Sequence, residues 1–198
     1  GFDSNDLSEI VVEGVLPDLC YSGPEVYLTR NGNNLKLKVI AYKESNPEKA
    51  CLRMKVPFTE TINTGILDRG RYRIVGNEDT KFEKEAELKV QESVSGAVDD
   101  YIYARVESID FDGKKTITLK GFNPSPCFTL DQVKFVDNGV DTYSVLPILK
   151  YSGSRCAEVM TEFTYTAELP ETLSRKKILL HVRAMNGKSV NAVVTRKN

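Results

Sequence analysis

Apolar and polar residues alternate with period two along most of this chain, the pattern of strands that bury one face. Ile10 and Val12 share a face, and Val26 and Leu28 do the same further on. The second pair leads into Asn31-Gly32-Asn33-Asn34, after which Leu35, Leu37 and Val39 alternate with lysines. An Asn-Gly pair between two such runs predicts a tight hairpin, because both residues tolerate positive φ. Further strands are predicted at 56–62, 72–75 and 82–90, the last with Phe82, Ala86, Leu88 and Val90 on one face. Phe82, Ala86 and Val90 also fit a helix. Residues 101–109 alternate into Asp112-Gly113, another tight-turn pair, and 115–120 follow it. Later strands are expected at 132–136, 142–149, 159–167, 177–185 and 189–195. Pro147 lacks an N–H for a ladder, which places its stretch at an edge or a bulge. No segment carries a long helical stripe, so the expected class is all-β, built of antiparallel sandwiches.

One motif recurs within this pattern. Gly14-x-x-Pro17-x-x-Cys20 returns as Gly121-x-x-Pro124-x-x-Cys127, 107 positions on. Eleven residues past each cysteine stands an Asn-Gly pair, Asn31-Gly32 or Asn138-Gly139. Val26 and Val133 match, a second cysteine follows at Cys51 or Cys156, and seven residues beyond it comes Phe58 or Phe163. A register held over about 45 residues with one small gap marks an internal duplication. Two domains are therefore expected, 1–95 and 96–198, each near the size at which a core becomes self-sufficient. Ser93, Ser95, Gly96, Asp99 and Asp100 make the predicted linker.

Two cysteines per repeat at equivalent places read as one disulfide in each domain, Cys20–Cys51 and Cys127–Cys156. Two other readings stand beside this one: buried thiols in a reducing cytosol, and zinc. Zinc lacks a C-x-x-C pair, and the single histidine is remote from both cysteine pairs in sequence. Persistent disulfides imply an oxidising compartment: periplasm, cell surface or exterior. The chain opens Gly1-Phe2-Asp3-Ser4, without a signal peptide, as a mature or trimmed chain would. A lipid anchor preceding residue 1 is compatible with that start. The absence of any Asn-x-Ser/Thr acceptor leans toward a bacterial envelope origin.

Gly14, Pro17, Cys20, Cys51 and Phe58, with Gly121, Pro124, Cys127, Cys156 and Phe163, give a pattern that resembles the small immunoglobulin-like modules of secreted bacterial proteins and lipoproteins. Such modules often end on a Gly-x-Tyr strand and an Asn-Gly turn. The first copy keeps Gly70-Arg71-Tyr72 and Asn77 but lacks the following glycine. The second keeps Asn186-Gly187 but has Lys176-Lys177-Ile178 where glycine and tyrosine are expected. The resemblance implies two tandem sandwiches and brings no catalytic residue with it.

Charge narrows the partners. Residues 1–96 hold 13 Lys and Arg against 16 Asp and Glu, and the remainder 14 against 12. Neither half has the basic excess that collects nucleic acid or an anionic membrane. No apolar run approaches the roughly 20 residues needed to span a bilayer. His181 alternates with the apolar face of 178–184 and is expected at the surface or half-buried, beside Leu179 and Arg183. No nucleophile elbow occurs. Asp110-Phe111-Asp112-Gly113 has the opening of a calcium loop, but Lys114 and Lys115 follow, so a hairpin turn is expected. Arg71 and Arg73 could hold a phosphate or carboxylate, or pair with Glu83, Glu85 and Glu87 across a hairpin. Tyr21 and Phe128 each follow the first cysteine of a repeat and are candidate aromatic anchors.

The expectation is a non-enzymatic exported binding or structural module of a cell envelope, contacting protein or a surface glycan. No cofactor or metal is expected. An enzyme or inhibitor with a loop or interdomain site is the alternative.

Overall fold

In a computed structural model, which describes residues 3–4, 6–44, 50–93, 101–153, 155–170 and 177–195, the alternating runs become strands. The first six are β1 (Leu7–Leu16), β2 (Tyr21–Asn31), β3 (Asn34–Lys43), β4 (Val56–Ile66), β5 (Gly70–Gly76) and β6 (Lys84–Val90). Then come β7 (Arg105–Phe111), β8 (Thr116–Asn123), β9 (Phe128–Asp137), β10 (Thr142–Tyr151), β11 (Thr161–Glu168), β12 (Lys177–Ala184) and β13 (Lys188–Thr195). No helix among the described residues is long and apolar enough to cross a membrane. The chain divides into two compact units, Phe2–Gly96 and Ala97–Asn198. Of the expected linker, Ser95, Gly96, Asp99 and Asp100 lie outside the described residues, as do Gly1, Phe2 and Lys176.

In the first unit β1 pairs with β4, and the second sheet runs β2-β3-β5-β6. Both sheets send side chains into one core: Ile10, Val12 and Ile62 meet Leu35, Leu37, Tyr72, Ile74 and Val90. In the second unit one sheet runs β11-β8-β7 and the other β13-β12-β10-β9. Its core is larger, with Ile117, Leu119 and Phe163 facing Val145, Leu180 and Val182. Strand for strand, β8–β13 repeat the order and directions of β1–β6, and β7 is the extra member.

The sheets are not purely antiparallel, which corrects the expectation. β3 runs parallel to β5, and β10 parallel to β12. The cause is the crossover: the chain leaves β3, runs β4 in the opposite sheet and returns as β5 beside β3. Two reversals restore the direction, as a parallel neighbour requires.

Two local expectations also change, and one with two alternatives is decided. The first hairpin turns on Gly32-Asn33, not Asn31-Gly32; Asn31 pairs with Asn34, and only Gly32 takes positive φ, at 57°. β6 begins at Lys84, leaving Phe82 in the preceding turn and exposed. Of the two places expected for Pro147, an edge or a bulge, it takes the second: it pairs with Val133 of β9, the register shifts beside it at Ile148/Leu149, and the β12 ladder on its other side ends at Val145. Pro147 accepts from the Ala104 N–H at 3.1 Å but has no hydrogen to return. The Ala104 carbonyl takes the Met185 N–H instead, at 3.2 Å. The proline is thereby accommodated inside a sheet.

The Asp112-Gly113 segment is a hairpin turn. One Asp112 carboxylate oxygen accepts from the backbone N–H groups of Lys114, Lys115 and Thr116 at 2.7, 2.9 and 3.0 Å. These bonds, the one from Lys114 foremost, hold the Asp112 carboxyl below its ordinary value of 3.8. A depressed folded-state pKa contributes stability above the unfolded value and loses it as pH falls through the folded one. The difference in Tm between the native chain and Asp112→Ala should therefore be widest above pH 3.8 and close in stronger acid. A difference independent of pH would show that the charge has no part in the turn.

Candidate interaction surface at the disulfide ends

In each unit one disulfide joins the two connections that carry the chain between sheets. Cys20 precedes β2 and bonds Cys51 in the β3–β4 connection, with Cα atoms 5.5 Å apart. Cys127 precedes β9 and bonds Cys156 in the β10–β11 connection, at 5.9 Å. Both sulfur pairs are thus closed, and among the described residues no cysteine is free. Asp18, Cys20 and Cys51 lie close enough to surround a metal ion, but the two sulfurs are bonded to each other.

The turn before each cysteine is built alike from different residues. The Asp18 carboxylate accepts from the Cys20 N–H at 2.9 Å, and the Ser125 hydroxyl from the Cys127 N–H at 3.3 Å. Short polar side chains that bond backbone two residues on stabilise such turns. The Cys20 carbonyl then receives the Glu44 N–H at 2.8 Å, and the Cys127 carbonyl the Ser152 N–H at 2.9 Å. Leu19 N–H reaches the Leu52 carbonyl at 3.3 Å, tying the two connections of the first unit.

Beside the bridges, apolar residues stand exposed among charged ones such as Arg53 and Lys55. Leu19 and Leu52, each next to a bridged cysteine, and Met54, whose N–H also bonds the Leu52 carbonyl, are 48, 63 and 51% exposed, and Val15 is exposed at the end of β1. At the second end Tyr151, Val159 and Met160 are likewise exposed. Single exposed apolar residues need no explanation, but a group at the same end of both units does. Tyr21 and Phe128 sit half-buried at the rims. Lys43 Nζ lies 5.7 Å from the Tyr21 ring centroid, and Phe128 contacts Tyr151 at 5.2 Å between centroids. Neither ring is fully buried, and Phe128 packs against the second core while bordering exposed Tyr151.

The other candidates resolve differently. Arg71 pairs with Glu87 at 3.2 Å and Arg73 with Glu85, all more than half exposed on the outer face of β5 and β6. Such pairs contribute about 0–1 kcal/mol. Contrary to the sequence expectation, His181 is buried, 3% exposed, and its Nδ1 lies 2.9 Å from Asn191 Oδ1. β12 is covered on both faces, since Ile178, Leu180 and Val182 face the core while Arg183 and Ser144 across the ladder are also buried. Outside the expectation altogether is a carboxylate clasped by two exposed phenols. Tyr27 and Tyr42 both donate to Glu25 Oε2, the latter at 3.1 Å. The bond to Glu25, then that to Tyr42, pushes the Tyr27 phenol up to about 12.

No match was found among curated proteins or among solved structures. Residues 10–88, from within β1 into β6, match the ORF11 beta-sandwich domain family, so this stretch of the first unit is similar to a known β-sandwich module.

Proposed function

We propose that this chain is an exported, non-enzymatic binding module of a cell envelope, made of two tandem immunoglobulin-like sandwiches from one duplicated ancestor. The observation that carries the reading is the apolar group at each disulfide end. Support for duplication comes from the shared strand order of β1–β6 and β8–β13 and from the matched bridges. Support for export comes from the bridges themselves, which persist where glutathione does not reduce them. The single histidine, buried and bonded to Asn191, makes a poor solvent-facing base.

Leu52 and Met54 are aliphatic and flexible, a chemistry suited to a protein partner rather than a sugar. Tyr27 and Tyr42 flanking Glu25 are the feature that favours a surface glycan instead. Binding of the labelled chain to isolated cell envelopes separates these. Leu52→Glu with Met54→Glu should reduce binding by about tenfold or more, the loss of one modest hot spot. Tyr27→Ala with Tyr42→Ala should leave it unchanged. The reverse result would transfer the function to the tyrosine face, and no effect from either pair would sink the proposal.

A further inference from the structure

One carboxylate of the second unit stands unpaired beside an outward-facing ring. On the sheet β11-β8-β7 the other side-chain charges are matched: Arg105 with Glu107 at 3.2 Å, Lys120 with Asp110 at 2.8 Å, and Lys115, just before β8, with Glu168 at 2.9 Å. Glu162 of β11 is exposed, and among the described residues its carboxylate has no hydrogen bond or ion pair. The register sets Glu162 directly opposite Phe122 of β8, and Arg105 of β7 pairs with Phe122 on the other side. Gly121 and Asn123 are both buried, so Phe122 between them lies on the outer face, where it is half-buried.

Around this row the face is concave. An open groove of about 470 Å³ is lined by Glu107, Ser108, Lys120, Phe122, Glu162 and Thr164. The register shift between Val106 and Ser108 shapes its β7 wall. The hydroxyls of Ser108 and Thr164 are uncommitted among the described residues. The protein's own cations leave the ring alone. Arg105 turns its guanidinium to Glu107 and to the Met160 sulfur, the latter at 3.7 Å, and Asp110 holds Lys120. No cation of the described residues lies over Phe122.

We infer that this groove takes an arginine side chain of a partner protein, its guanidinium lying on the Phe122 ring and its N–H edge meeting Glu162. An aromatic face attracts a cation through the ring quadrupole, and an adjacent carboxylate adds charge-assisted hydrogen bonds. Residues directly opposite on paired strands have Cβ atoms about 5 Å apart, so one planar group reaches both. A guanidinium suits this better than an ammonium, since it stacks flat and presents a fork of donors, leaving one for the Thr164 hydroxyl. The source of the arginine follows from what adjoins the groove, and in this respect the inference rests on the interaction surface proposed above. Asn123, next to Phe122, donates to the Phe128 carbonyl at 3.2 Å, and Met160, two residues before Glu162, is exposed. A partner seated on the apolar residues of the second disulfide end therefore reaches the groove.

Two capped tripeptides test this on the full chain by amide NMR titration: acetyl-Gly-Arg-Gly-amide, and the same peptide with citrulline, which keeps the shape without the charge. The arginine peptide should bind weakly but saturably, moving the amides of residues 107–108, 120–122 and 162–164, and the citrulline peptide should move none. Glu162→Gln should weaken binding by about fivefold, the upper worth of one exposed charge pair. Phe122→Leu should weaken it by about twofold to fivefold, the worth of an exposed cation–π contact. Equal response to both peptides, or an affinity unchanged by Glu162→Gln, would overturn the site. Glu162→Gln should also reduce binding of the labelled chain to isolated cell envelopes, and no reduction there would overturn the partner protein as the source. Leu52→Glu with Met54→Glu leaves the groove intact, so that variant should still bind the arginine peptide whatever becomes of its envelope binding. Failure of the groove and failure of the disulfide-end surface thus give different results.

Discussion

Replacing Cys20 and Cys51 with alanine should lower the stability of the first unit by about 3–4 kcal/mol. The bridge spans 31 residues, and on the loop-entropy account closing a loop of that length removes this much freedom from the unfolded chain. Replacing Cys127 and Cys156, 29 residues apart, costs nearly the same. The consequences differ because the cores differ. Among the described residues the first unit's buried cluster has six members, Leu35 to Val90, and the second unit's has fourteen. A domain with 5–15 kcal/mol to lose tolerates the subtraction only from the upper part of that range. The first-unit variant should therefore show a Tm lower by about 15–25 °C and some unfolded population at 37 °C. Tryptophan is absent, so hydrogen exchange read by mass spectrometry is the suitable measurement. Peptides from β3 and β5 should lose protection in the first variant while those from β10 and β12 keep theirs. If both variants lose protection equally in both units, the units do not unfold separately. If neither variant loses any, the bridges are not stabilising.

That outcome bears on what was legible in the sequence. Alternation located the strands because it records burial directly: Leu35 and Leu37 are buried between exposed lysines. It could not record who lies beside whom. β3 and β5 read the same whether parallel or antiparallel, since direction is set by β4 in the other sheet. The bridges were readable because a duplicated spacing constrains pairing more than spacing alone. The matched turns were not, since Asp18 and Ser125 share a hydrogen bond but not an identity. β10 misled for a related reason. Thr142 and Ser144 are polar, yet the strand is buried from Thr142 through Leu149, so alternation there does not mean one wet face. The same two-sided cover hides His181 on β12. Leu19, Leu52 and Met54 fall on connections, where no period exists to say which side chain is inside or out, and Val159, expected within a strand, lies just before β11 begins at Thr161.

The repeated glycine is the place where one sequence motif serves two physical ends, and it gives the second large effect. Gly14 pairs with Phe58, and Gly121 with Phe163. A Cβ added at Gly14 would meet the Phe58 ring at 2.3 Å. Added at Gly121, it would fall 2.0 Å from the Arg105 carbonyl oxygen and 3.0 Å from Val106 Cα, both backbone of β7. The Phe163 ring is turned elsewhere, stacked on Tyr165 at 4.1 Å. A side-chain ring can rotate away, at the cost of some core contact, so Gly14→Ala should cost about 1–2 kcal/mol, within the usual range for over-packing. A strand backbone cannot move without its ladder. Gly121→Ala should cost about 3 kcal/mol or more, the top of that range, because β7 must shift and with it Ile109 and Phe111 over the core. Chemical denaturation of the two variants measures the difference. The double-mutant cycle supplies the mechanism: with Phe58→Leu already in place, Gly14→Ala should become nearly neutral, a coupling expected only between groups in contact. Phe163→Leu should not relieve Gly121→Ala, since the obstruction is main chain. Relief at both positions, or equal costs for the two alanines, would mean that β7 does not press on Gly121 as the structure has it.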